Sequence, residues 1–485
     1  MRFAPGQFGS VTILILAVTA FVAVNVMLFN VLTSTYFLVL IGVLLILLGI
    51  TLLTQIAAKG KGIGGKIFCI LICIILGVGS FYIGKVNNAF QKITGSNKKT
   101  SSMVVAVKAD DNADTLSAAA GYTFGVQYAT GGDQTKSAVK QIEKELGQNI
   151  TLQEYSNLGE EAQALYDGEV DAIIYNSAYS NIIKEQYSTF TKDTKVIYKH
   201  NIVVEIESDT SDESVTKPFA VYLSGIDTNG DITEQGRSDV NIVAVVNPTS
   251  HQVLLITTPR DYYVPIPGVS GGQDDKLTHA GIYGVDVSMQ TLEALYDTDI
   301  EFFGRVNFTS MISVVDALGG LDVESDLEFD TGWESGAEIH VNEGMNHFDG
   351  ISALAFCRER QALPDGDNGR GVHQQAVITA IIKKMMSPAM LRGASDIIES
   401  VSDGVDTNFT SSQIQSLIKT QLRTNAKWNI YSVAADGTGG TDICYSSGDE
   451  ELYVTYPDEN SVAEISELIK KVKDGEIIEG SVSTE

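Results

Sequence analysis

No residue between Arg2 and Lys59 is charged, and most of that stretch is aliphatic. A run this apolar does not fit inside one soluble core, because about 20 helical residues already cross a hydrocarbon layer of about 30 Å. Residues 11–31 and 35–57 each reach that length, with Thr33 and Ser34 between them in a tight connection. A third apolar run, 67–84, follows the basic linker that carries Lys59, Lys61 and Lys66. The apolar region repeats and is far too long for a cleaved signal peptide, so three transmembrane helices are expected over residues 1–86. The three linker lysines mark the second connection as cytoplasmic, which places the bulk of the chain outside the cell. Lys85, Lys92, Lys98 and Lys99, just after the third run, argue weakly the other way.

Charge divides the chain sharply. Eight of the 33 basic residues and none of the 61 acidic ones fall before Thr100, so the remaining 25 basic residues leave the rest of the chain at a net −36. So negative a surface repels nucleic acid, and a polyphosphate ligand has to be held by focused cations or a metal. Most of the carboxylates are simply a solubilising surface. Cys69 and Cys73 fall within the third apolar run, where they act as small apolar residues. In the soluble part only Cys357 and Cys444 remain, either as one disulfide or with Cys357 as a buried thiol, and no zinc-type spacing is present.

The soluble part is too long for one compact core, which predicts two domains. Residues 87–102 read as a polar, basic tether. Residues 103–208 alternate strand and helix, with strands over 103–107, 124–127, 150–155, 171–175 and 196–206 and helices over 137–146 and 159–166, the pattern of a small α/β accessory domain. The stretch 162–175 resembles the helix–strand step of periplasmic solute-binding lobes and carries no catalytic constellation, so a spacer or protein-interaction module is expected. The polar segment 208–217 is a linker. Residues 216–475 give strands at 218–225, 239–246, 253–257, 354–357 and 453–456. Helices follow at 288–296, 309–318, 374–386 and 461–472, which predicts an α/β/α sandwich around a central mixed sheet. An unstructured acidic tail, 476–485, closes the chain.

The chemistry-bearing residues gather at expected strand ends. These are Asp227 after Gly225-Ile226, Arg237 and Asp239 around Ser238, Arg260-Asp261, and the run Arg358, Arg360, Asp367 and Arg370. Arginine offers a planar fork of donors that fits a phosphate at two points and stays charged at any working pH. On a strand, Arg358 and Arg360 share one face, and Arg370 precedes a helix whose first amides can add to an anion site. From the residues alone, the arginines either pair with nearby acids or bind phosphate.

The ordered motifs add weight to the second reading. SGIDT, GRSDVNIVAVVNP, TTPRDYYV, DKLTHAG, VNFTSMISVVDALGGLDVE, HFDGISALAFCRER and DGDNGRGVHQQ together resemble the LytR–CpsA–Psr family of cell-wall glycopolymer ligases over essentially all of 216–475. The anchor plus an extra N-terminal domain is similar to the streptococcal and clostridial capsule-attachment branch. The resemblance implies a sheet-based fold with an apolar tunnel for a polyprenyl chain. It implies that Asp227 and Asp239 hold Mg²⁺ (or Mn²⁺), and that Arg237, Arg260, Arg358, Arg360 and Arg370 clamp a lipid-linked pyrophosphate. Asp367 would organise those arginines, Gln374 would touch phosphate, and Lys276 would lie near the site. His373 stands where many members have arginine, adding a group that titrates near neutral pH; Cys357 stands where an aromatic is commoner. Asp261, Asp367 and His373 all remain candidate bases. The implied activity is a metal-dependent phosphotransferase at the outer face of a Gram-positive-type cell membrane. It would attach a polyprenyl-pyrophosphate-linked glycopolymer, of capsule or teichoic-acid type, to peptidoglycan beside wall-polymer synthesis proteins. A non-catalytic regulator that binds the lipid carrier, or a prenyl-pyrophosphatase, is the alternative.

Overall fold

The computed structural model describes residues 98–129, 131–205, 212–226, 235–364, 367–385, 404–448, 450–478 and 482–483, with scattered positions before residue 98. Among the described residues no helix is long and apolar enough to cross a membrane. The three expected spans lie outside those residues except for isolated helical positions such as Val43, Ile46 and Leu53, whose side chains are exposed.

The first sheet contains β1 (Lys98–Lys108), β2 (Thr123–Gln127), β3 (Thr151–Tyr155), β4 (Ala172–Asn176) and β5 (Thr194–Glu205), in the order β3-β2-β4-β1-β5. β1 starts within the stretch expected to be a tether. Its alternation divides two cores. Met103, Val105 and Val107 pack with Ala138 and Ile142 of α1 (Gly132–Leu146), whereas Val104 and Ala106 pack with Ala162 and Leu165 of α2 (Leu158–Asp167). Asn157 caps α2 by accepting from Glu160 N, and Gly168, left-handed at φ 75°, ends it.

Glu161 on α2 faces inward and is 1% exposed, with neither carboxyl oxygen in a regular hydrogen bond. Burial pushes its pKa well above the usual carboxylate range, and contact with the Ile174 amide offsets this only in part. A raised folded pKa means that stability is intact at acid pH and is lost as pH rises past the unfolded value. Glu161→Gln should therefore match the parent near pH 4 and gain about 1–3 kcal/mol at pH 8, as measured by thermal denaturation at both pH values.

The second sheet has seven strands among the described residues. β6 (Phe219–Ile226), β7 (Ser238–Asn247) and β8 (Gln252–Thr257) form its antiparallel centre. β9 (Tyr263–Pro265) and β10 (Asp274–Lys276) form a ribbon leading to α3 (Leu277–Tyr283) and α4 (Val285–Tyr296). β11 (Phe302–Asn307) runs parallel to β6 and is followed by α5 (Phe308–Ala317). Two small ribbons come next, β12 (Leu321–Ser325) with β15 (Gly344–Phe348) and β13 (Phe329–Asp330) with β14 (His340–Val341). They lead into α6 (Gly350–Arg358) and α7 (Asp367–Met385). β16 (Val405–Thr407) borders β11, α8 (Ser411–Thr424) follows, and β17 (Asn429–Ala434) pairs parallel with β8. The hairpin β18 (Gly437–Ile443) and β19 (Glu451–Pro457), then α9 (Glu459–Asp474) and β20 (Val482–Ser483), complete the order β16-β11-β6-β7-β8-β17-β20.

Alternation along β6 builds the layers. Ala220 and Tyr222 face a core with Leu292 of α4 and Ile465 and Ile469 of α9. Phe219 and Val221 face the opposite core, with Ile378 and Ile382 of α7 and Leu417 of α8 against it. The result is helix, mixed sheet, helix.

Three local expectations are corrected. Residues 354–357 lie in α6, not a strand: Asp349 caps that helix through Ser352 N, and its apolar run is buried all round, which hides the helical period. α7 begins at Asp367 rather than at Gln374, so Arg370 and His373 are helical. The expected tail is partly ordered, since Ile478 is 9% exposed and Val482 pairs with Ile430 of β17. The two sheets also share a core, in which α2 residues meet Ile266, Ala280 and Ile282. Ser101 and Asn176 of the first sheet donate to Gln235 Oε1 at 2.8 and 2.9 Å.

Candidate functional site

β6, β8, β11 and β17 run parallel, so their C-terminal ends share one edge with the start of antiparallel β7. Open α/β sheets bind ligands at such an edge. Arg237 and Asp239 flank the first residue of β7, and Arg260 follows the end of β8. The close approach of this segment to α3 explains a glycine: a Cβ at Gly281 would lie 2.7 Å from Gly236 O and 2.9 Å from Ser238 N. The DKLTHAG stretch is thus the floor beneath Arg237 and Asp239.

Charge is relayed along this edge. Arg260 Nη1 donates to Asp239 Oδ1 at 2.7 Å, and the Thr278 hydroxyl donates to the same oxygen at 3.3 Å. Arg260 Nε lies 3.5 Å from Asp261, whose other oxygen is 3.5 Å from Lys276 Nζ. Lys276 is 7% exposed and meets the site through Asp261 rather than at the mouth itself.

The remaining arginines come from helix ends. Arg358 is the last residue of α6, and Arg360 lies just beyond its extended cap residue Glu359, so the two do not share a strand face. Arg370 sits in the first turn of α7, near Cys357. Arg237, Arg260, Arg358, Arg360, Arg370, Asp239 and Gln374 all line a single cavity of about 1170 Å³. Behind this mouth the walls are apolar from Gly225 back along β6 to Phe219, with Val246, Val253, Ile382, Leu417 and Trp428 at the far end. At about 3.3 Å per residue, this face of β6 spans about 20 Å. The arrangement suits an amphiphile with a polyanionic head and a long apolar tail.

Several expected site residues stand differently. Gln374 Nε2 donates weakly to Cys357 O at 3.4 Å while lining the cavity. His373 does not line it: the ring stacks on Phe356 at 3.9 Å and on Phe329 at 5.2 Å, and it is 6% exposed. Burial holds its pKa below the ordinary histidine value, although the Phe356 carbonyl and nearby acids pull the other way, so it does not supply the charge of an arginine at neutral pH. Asp227 and the Asp367 side chain lie outside the described residues; the backbone of Asp367 opens α7. Cys357 and Cys444 are both buried and are not joined in a disulfide, and burial pushes the Cys357 thiol up to about 12.

Sequence reasoning missed Glu359. It is 2% exposed and accepts from Gly332 N, Ser335 Oγ, Arg360 N, Gln361 N and Ala362 N at 2.7–3.0 Å. Burial pushes its pKa up, but these donors prevail and hold it below the usual value. The available signal was an acid set between two arginines in CRER.

The sequence profile of the LytR_cpsA_psr family matches residues 173–471. The chain belongs to this family. A relative in Bacillus cereus, the polyisoprenyl-teichoic acid–peptidoglycan teichoic acid transferase TagU, is 34% identical over 253 residues, 52% of this chain and 77% of the relative. The Enterococcus faecalis protein of the same name is 36% identical over 203 residues, 41% of this chain and 65% of its own length. The crystal structure of Bacillus subtilis TagV superposes with a TM-score of 0.45 at 26% identity, covering 53% of this chain and 98% of that one. The LytR_cpsA_psr match takes in the whole arginine-lined edge and reaches back into β4 of the first sheet.

Proposed function

We propose that the protein is a phosphotransferase that moves a glycopolymer from a polyprenyl-pyrophosphate carrier to a peptidoglycan hydroxyl. The observation that carries this reading is one cavity with five arginines at its mouth and an apolar bore behind them. The names of the TagU relatives supply the class of donor and acceptor. Supplying capsule-type and teichoic-acid-type donors in parallel identifies the polymer that is transferred.

In this reading the lipid tail lies along β6 and the pyrophosphate meets the arginines. The acceptor oxygen attacks the sugar-proximal phosphorus, and the phosphorus–oxygen bond to the prenyl phosphate breaks. The polymer is left on a phosphodiester, and the electron pair departs on prenyl phosphate. Arg237, Arg260, Arg358, Arg360 and Arg370 neutralise charge on the phosphoryl oxygens and on that leaving group. The acceptor's proton needs a base. Asp261 is held between Arg260 and Lys276, and His373 is stacked away from the mouth. We therefore assign the proton to Asp367, which opens α7 three residues before Arg370.

The reading includes a divalent cation. Among the described residues no group of three or more histidine, cysteine or acidic side chains could hold a metal. Mg²⁺, however, commonly takes one or two carboxylates and completes its shell with water and phosphate oxygens. Asp239 and Asp227 would hold Mg²⁺ or Mn²⁺, which when bound would further neutralise phosphoryl charge. Anchoring by spans 11–31, 35–57 and 67–84, with the sheets outside the cell, would keep the cavity close to its lipid substrate.

The test uses the full chain in detergent with Mg²⁺, a prenyl-pyrophosphate-linked glycan and peptidoglycan fragments. Stoichiometric prenyl phosphate and glycan–peptidoglycan conjugate are expected. Binding without turnover would leave a lipid-sensing regulator, and hydrolysis without conjugate would leave a pyrophosphatase.

A further inference from the structure

Segment 235–239 carries two cavity-lining residues, Arg237 and Asp239, and two separate routes tie it to the first sheet. Gln235 is the first route. It is buried, and its Oε1 accepts from Ser101 Oγ of β1 and Asn176 Nδ2 of β4, which are buried as well. A buried polar contact is costly to leave half-made, so it holds its members in one placement. Arg237 follows only two residues later.

The second route is α3, every residue of which is buried. Ala280 and Ile282 share a core with Val104 of β1 and Leu165 of α2, and the Tyr283 ring lies 5.8 Å from that of Tyr179. The same helix holds the site edge. Thr278 N donates to Arg260 O at 2.8 Å, the Thr278 hydroxyl donates to Asp239, and Gly281 admits Gly236 O and Ser238 N against the helix. α3 is thus packed between the first sheet and the segment that bears Arg237 and Asp239.

We infer that the first sheet is a brace for the sheet side of the site, and that Gln235 is the positioning residue through which it sets Arg237. The inference rests on the phosphotransferase reading and gives the N-terminal α/β domain a part in it. Arg358, Arg360 and Arg370 come from α6, the turn after it and α7. Those three still hold the lipid pyrophosphate when the brace is loosened, so the effect falls on turnover rather than on donor binding.

Gln235→Met keeps the length of the side chain and removes the acceptor. In full-length protein in detergent, Q235M should transfer glycan about tenfold more slowly, within the about 10²-fold that a 1 Å misplacement costs, with an unchanged KM for the lipid donor. Gln235→Glu keeps an oxygen for both donors in either protonation state and should recover most of the rate. Amide exchange over 236–241 should be faster in Q235M, while that of α6 stays at the parental rate. In an Arg237→Lys background the same substitution should cost about twofold or less, because both changes act through one side chain. Parental transfer by Q235M, parental exchange over 236–241, or a full tenfold further loss in the R237K background overturns the brace and leaves the phosphotransferase reading standing. A parent that makes no conjugate sinks that reading instead, and exchange over 236–241 then decides whether Gln235 holds the edge.

Discussion

Arg358→Ala should lower glycan transfer by about 10³-fold, the scale seen when one preorganised donor to a developing oxyanion is removed. The side chain sits at the end of α6 and lines the mouth of the cavity, where a guanidinium can grip pyrophosphate at two points. It is only partly buried, and the apolar body of α6, from Ala353 to Cys357, makes the helix's packing contacts. Stability should therefore change by about 1 kcal/mol or less, as for other substitutions outside the core. Arg358→Lys keeps the charge but loses the fork, so it should recover only part of the rate. The measurement is conjugate formation by purified full-length variants, alongside their thermal melting. Full transfer by a folded R358A protein would refute the phosphate-clamp assignment.

Glu359→Ala should cost about 3 kcal/mol, because several backbone amides and one hydroxyl lose their acceptor and water replaces it only in part. Two turns depend on this carboxylate, Gly332–Ser335 through Oε2 and the segment Arg360–Ala362 through Oε1. Activity should fall as well, since the second turn carries Arg360. The pH dependence has a definite sign. The folded pKa of Glu359 is depressed, so its contribution is present above the unfolded value near 4.5 and is lost as pH falls through the folded value. Urea denaturation should show the largest gap between the parent and E359A near pH 7, narrowing on acidification below about pH 4. A constant gap across that range would show that the ionised carboxylate is not what holds the turns.

Much of the central sheet could be read from pattern. β6, β7 and β8 are apolar runs bounded by turn residues, and α4, α5 and α9 keep a clean helical period. β11, β16 and β17 went unseen. Phe302–Asn307 holds a glycine and an arginine, and Arg305 becomes a core residue only by pairing with Asp406 across the ladder at 2% exposure. α6 looked like a strand because burial on every side erases the polar positions that mark a helix.

The arginines were legible as a group because their type is restricted by the chemistry of phosphate, and type is written in the chain. Where each one stands was not. Arg358 and Arg360 meet the mouth from a helix end and the turn after it, and His373 leaves the mouth to pack against Phe329 and Phe356. The amino-acid order alone determined which residues could grip an anion and which segments avoid water. Folding decided which of them converge and that the ionised Glu359 carboxylate accepts from the amides of two turns. These outcomes depend on contacts between residues far apart in sequence, whose distances no local pattern encodes.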